Sequence, residues 1–169
     1  MTGFFFGRTP ALAAPPAGKV LSVDIVQPSG KPIASPQVPF ASVGFSFEAQ
    51  SPGAVLGTSG QRIRVTNGTS TPEWTLTLAP TNGPRSLWKS DSGQYYDFND
   101  SHFGGYDDRD LDNFGGRLTV NPAAGTVRPA RPCSSLRGIS KGPVGAFQEI
   151  LPSINSITLL SADRTALTN

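Results

Sequence analysis

Six of the chain's twelve acidic residues crowd into one stretch: Asp97, Asp100, Asp107, Asp108, Asp110 and Asp112. A hard cation such as Ca²⁺ needs roughly six to eight converging oxygen ligands. The run Asp108-Arg-Asp110-Leu-Asp112-Asn113 places carboxylates at its first, third and fifth positions, followed by an Asn, which tolerates left-handed backbone. Asp97, Asn99 and Asp100 can add oxygens from the preceding segment. Asp97, Asn99, Asp100, Asp108, Asp110 and Asp112 therefore make a candidate Ca²⁺ site in an acidic loop over 97–116. It is not an EF-hand: Thr119 stands where the twelfth-position Glu would be, and no flanking helix is legible. The same residues can instead form a solvated loop whose Asp and Asn side chains bond their own backbone. Heat on Ca²⁺ titration and a raised melting temperature would separate the two.

Little else in the sequence could do chemistry. One Cys and one His cannot build a Cys/His zinc site, and one Cys cannot close an intrachain disulfide. A catalytic nucleophile needs a base within hydrogen-bond reach and a third group to orient that base. His102 is the sole imidazole, no nucleophile-elbow pattern occurs, and Cys133 is flanked by Pro132 and two serines. A non-enzymatic protein is expected. Around the acidic loop lie Trp88, Tyr95, Tyr96, Phe98, Phe103, Tyr106 and Phe114, either a sugar-stacking platform or the aromatic roof of a β-sandwich. Trp74 likewise reads as the core plug of a central strand or as a binding contact.

Charge and hydropathy narrow the partners. The 169 residues carry a net charge of +2, too small for a global electrostatic argument about nucleic acid. The basic stretch Arg117, Arg128, Arg131, Arg137 and Lys141 lacks the interleaved aromatics on which bases stack. No apolar run approaches the roughly 20 residues of a transmembrane helix. Residues 1–19 read as a flexible Ala/Pro arm or the remnant of an export signal, with Ala11-Leu12-Ala13 as a small-x-small site.

From residue 20 a period of two dominates, placing alternate side chains on opposite faces of a strand. It runs through Leu21, Val23 and Ile25; Val43, Phe45 and Phe47; Ile63 and Val65; Trp74, Leu76 and Leu78; Leu118 and Val120; and more weakly Ile157 and Leu159. Turn-forming pairs separate the runs: Pro52-Gly53, Ser59-Gly60, Asn67-Gly68, Asn82-Gly83 and Ala124-Gly125. The strongest local unit spans Arg62 to Ala79, where Asn67-Gly68 favours hairpin-like positive φ within a longer loop. Short antiparallel strands with one apolar face each must stack face to face. The expectation is a single all-β domain over 20–169, an antiparallel β-sandwich of Ig-like or jelly-roll-like form.

The segments Gln61–Asn67 and Glu73-Trp-Thr-Leu-Thr-Leu-Ala79, with Leu87-Trp88, Tyr96–Asp100, Gly116–Ala124 and Ser156–Ala162, together resemble the WxL-like surface domains of Gram-positive and environmental or candidate-phylum bacteria. The likeness covers most of residues 40–162. It implies an exported, cell-surface module, held non-covalently on the envelope and binding a cell-wall polymer or another surface protein. Trp74, Leu76, Trp88 and Tyr96 are the binding residues it suggests. Such domains usually carry a second Trp-x-Leu-like strand near the C-terminus, which does not precede Asn169 here. The missing strand suggests an alternative: a subunit of a filament, array or virion that homo-oligomerises by strand addition.

Overall fold

The computed structural model of the protein describes residues 20–48, 50–80, 88–89, 95–96, 117–130, 135–147 and 156–166. Among these the regular structure is almost wholly β. The strands are β1 (Leu21–Val26), β2 (Arg62–Asn67), β3 (Trp74–Leu78), β4 (Trp88–Lys89), β5 (Tyr95–Tyr96), β6 (Leu118–Val120), β7 (Ile139–Lys141), β8 (Gly145–Phe147) and β9 (Ile157–Ala162), with one 3-10 turn at Pro122–Ala124. Every ladder is antiparallel: β1 with β2, β4 with β5, β6 with β8, and the three-stranded order β3-β9-β7. The chain divides after Thr69 into two compact units.

In the first unit, β1 and β2 pair one for one from Leu21↔Asn67 to Val26↔Arg62. This register sets Val23 beside Val65 and Ile25 beside Ile63 on one face. The other face carries the cross-strand pair Asp24–Arg64, at 3.6 Å with the Arg64 and Asp24 side chains 35% and 39% exposed. Such exposed pairs contribute at most about 1 kcal/mol. After β1 the chain reverses through Pro28-Ser29-Gly30. Gly30 N–H donates to the Gln27 carbonyl at 2.8 Å and Gln27 N–H to the Lys31 carbonyl at 2.8 Å. That reversal needs φ of +86° at residue 30, which glycine adopts without a Cβ clash.

The second unit contains β3 to β9. In the central strand β9, Leu160 pairs with Leu76 and Thr158 with Thr77, so Leu159 is an extra residue, a β-bulge. The bulge resets the alternation. Trp74, Leu76 and Leu78 thus share a face with Ala162, Leu160 and Ile157, while Thr75 and Thr77 are exposed on the other. Among the described residues of this unit the buried apolar side chains are Ala146, Phe147, Ile157, Ala162 and Ala166, with Phe147 only 2% exposed. Phe147 lies opposite Leu118 in the β6–β8 ladder, and the Ile157 side chain packs over Gly145 of β8.

Two expectations change. The hairpin-like unit over Arg62–Ala79 does not pair with itself: β2 ladders with β1 and β3 with β9. The intervening loop turns instead at Asn67, whose buried Oδ1 accepts from Thr69 N–H at 3.0 Å and Thr69 Oγ1–H at 2.6 Å. Positive φ falls at Gly30, Gly57 and Gly138 rather than at Gly68. Second, Val43–Phe47 joins no ladder despite its alternation. Pro36, Pro39 and Pro52 flank it, and proline removes the backbone donors that would extend pairing on either side.

Candidate functional site

The site residues that the described structure places best are Trp74 and Leu76. Both sit on β3, an outer strand of its sheet with β9 as its partner among the described residues. Alternation makes Trp74, Leu76 and Leu78 half-buried and leaves Thr75 and Thr77 in solvent. Trp74 faces Ala162 across the ladder, and Ala162 faces Ile139 of β7 on its far side.

Three local devices hold β9 and β7 in place. Gly142 N–H donates to the Leu159 carbonyl at 2.9 Å, and the backbones approach so closely that a Cβ at residue 142 would overlap the Thr158 carbonyl oxygen. Beyond β9, Asp163 Oδ1 accepts from Thr165 N–H at 2.7 Å and from Thr165 Oγ1–H at 2.6 Å. The hydroxyl bond and then the backbone bond from Thr165 hold the Asp163 carboxyl below its ordinary pKa, with Arg164 and Arg137 adding to the effect and partial desolvation opposing it. Asp163 N–H in turn donates to the carbonyl of Gly138, whose φ is +74°. Finally, Lys141 Nζ donates to the carbonyls of Ala123 at 2.6 Å and Gly125 at 2.9 Å, capping the 3-10 turn after β6. Gly125, Thr126, Val127, Leu136, Ile139 and Lys141 line a shallow open cleft of about 360 Å³ beside this cap.

Trp88 and Tyr96 are brought opposite each other, as cross-strand partners in β4–β5, with Lys89 opposite Tyr95. The candidate Ca²⁺ ligands Asp97, Asn99, Asp100, Asp108, Asp110 and Asp112 lie outside the described residues, as do His102 and Cys133. Among the described residues, no group of three His, Cys, Asp or Glu side chains gathers as metal ligands would. No helix among them is long and apolar enough to cross a membrane.

A second surface was not expected from the sequence. Phe45 and Phe47 are 89% and 96% exposed and meet edge to face, with ring centroids 4.9 Å apart. They stand on an excursion over 38–60 that is closed at its base. Gln37 N–H donates to Gln61 Oε1 at 3.1 Å, and Gln61 Nε2 donates back to the Gln37 carbonyl at 2.7 Å. Thr58 seals the return, its N–H donating to the Gln61 carbonyl at 2.7 Å and its Oγ1 accepting from Gln61 N–H at 3.1 Å. The sequence signal was present, as a period-two run bounded by prolines, but alternation alone does not tell a buried strand from an exposed one.

Compared with known proteins, the chain matches no family model, no curated protein and no solved structure.

Proposed function

We propose that the chain is a non-enzymatic, exported module of the bacterial cell surface, WxL-like in character, whose ladders close into a β-sandwich of Ig-like or jelly-roll-like form. Its partner is a cell-wall polymer or another surface protein, and the acidic loop over 97–116 is ordered by Ca²⁺. The observation that carries this reading is the placement of Trp74-Thr75-Leu76 on an outer strand, with its apolar row half-buried and its threonines in solvent. An outer strand offers backbone donors and acceptors together with an apolar row, the two things an extended partner uses. The packing of Ile157 over Gly145, between the β3-β9-β7 and β6-β8 ladders, favours layered closure.

Co-sedimentation with purified peptidoglycan sacculi tests the attachment. The chain should pellet with sacculi, and Trp74→Phe, which keeps an aromatic at this half-buried position, should weaken retention several-fold. A chain that stays in the supernatant would sink wall attachment. A second reading, a self-assembling structural subunit, is favoured by the exposed row Val43, Phe45 and Phe47.

A further inference from the structure

We infer that Val43–Phe47 is a donor strand that adds to the outer edge of β3 in a second copy of this chain. The inference gives the self-assembly reading its residues and does not depend on envelope attachment. Three observations support it. First, Val43-Gly-Phe-Ser-Phe47 has the sequence pattern of a strand, yet Val43, Phe45 and Phe47 are 55%, 89% and 96% exposed, and the segment joins no ladder among the described residues. Large apolar side chains left in water on a strand-like row mark an interaction surface rather than a core. Second, the row stands on a loop closed by the reciprocal Gln37–Gln61 bonds. Loops beyond about 12–15 residues without secondary structure of their own are uncommon and often functional.

Third, donor and acceptor match in length and phase. β3 is five residues long, with Trp74, Leu76 and Leu78 on its apolar face and Thr75 and Thr77 on its polar face. Every ladder in the described structure is antiparallel. Antiparallel addition of Val43–Phe47 sets Val43 opposite Leu78, Phe45 opposite Leu76 and Phe47 opposite Trp74. Gly44 and Ser46 then lie beside Thr77 and Thr75. Each apolar residue extends the existing apolar row, and the aromatic pair Phe47–Trp74 adds a favourable cross-strand contact. The loop over 38–60 carries Glu48 as its one charged residue, and this register sets it opposite Glu73, a like-charge pair in solvent that limits the contact to the five residues Val43–Phe47. Because the exposed row and the β3 edge that carries no partner among the described residues lie on the same chain, the contact is head-to-tail and propagates unless it closes into a ring.

Sedimentation velocity and negative-stain electron microscopy on the purified full chain over a concentration series test the proposal. Association should rise with concentration. Phe45→Ser/Phe47→Ser should weaken it at least ten-fold, as should Ser46→Pro, which keeps both rings but removes a backbone donor. Register is read by cross-linking. In a Cys133→Ser background, a Ser46→Cys chain mixed with a Thr75→Cys chain should give a mixed dimer with a short thiol cross-linker. A Thr119→Cys partner, exposed on β6, should not. Phe45, Ser46, Phe47, Thr75 and Thr119 are exposed, so substitutions there keep the fold, and circular dichroism verifies this for every variant. A strictly monomeric chain overturns both this inference and the self-assembly reading. Association that is unchanged in the variants, or cross-linking at Thr119 equal to that at Thr75, overturns the donor strand alone.

Discussion

Three phenylalanines show how one residue type serves opposite roles. Phe147 is 2% exposed in the second unit, whereas Phe45 and Phe47 stand almost fully in water. Phe147→Ala should therefore cost about 3–5 kcal/mol in urea unfolding, the range for emptying a buried aromatic site. Phe45→Ala measured in dilute, monomeric chain should stay within about 0.5 kcal/mol of the parent, as for other surface substitutions. Gly142 tests a second residue-scale constraint. Its added Cβ would overlap the Thr158 carbonyl, so Gly142→Ala should cost about 3 kcal/mol, the upper part of the usual overpacking range. Gly44→Ala, with open space around it, is the matched control. Asp163 supplies a pH test. Its folded pKa is depressed, chiefly by the Thr165 hydroxyl bond, so its stabilising contribution is complete above the unfolded carboxylate pKa of about 4 and is lost as pH falls through the lower folded value. Asp163→Asn keeps the turn-forming side chain and should flatten the acid side of the melting-temperature profile.

At the level of elements, β9 organises the second unit because it pairs on both sides, with β3 and with β7. Its bulge at Leu159 keeps Ile157 on the same face as Leu160 and Ala162. Deleting Leu159 should throw Ile157 to the solvent face, since a one-residue slip inverts every side chain beyond it. The expected outcome is loss of dispersed methyl resonances in the NMR spectrum of the variant. These elements also show how far the sequence could be read. Alternation at Leu21–Ile25, Ile63–Val65, Trp74–Leu78 and Leu118–Val120 located β1, β2, β3 and β6, because each has one apolar and one polar face. Strands β7 and β8 were not legible: Ile139-Ser-Lys141 and Gly145-Ala-Phe147 are too short for a period to register. The bulged β9 showed weakly, since Leu159 and Leu160 break the alternation. Pairing partners were less legible still. The Arg62–Ala79 unit looked self-contained, but long-range contacts, which local pattern does not encode, send its two strands to different ladders.

Across the whole molecule, the sequence identified the β character correctly, and circular dichroism of the purified protein should show a strand-dominated spectrum without helical minima. Candidate site residues were partly legible. The strand placement of Trp74 and Leu76 was legible from their alternation, whereas the pairing of Trp88 with Tyr96 was not. The exposed phenylalanine row was recognised as alternating but not as surface, since exposure depends on what the rest of the chain covers. The reciprocal amide pair Gln37–Gln61 has a practical consequence of a different kind. Because it ties the loop shut at its neck, length added beyond the tie strains nothing below it, and each doubling of a flexible loop costs only about 0.6 kcal/mol. Gly53, with empty space around it, is thus a natural point to splice in a reporter peptide while leaving the β1–β2 ladder undisturbed.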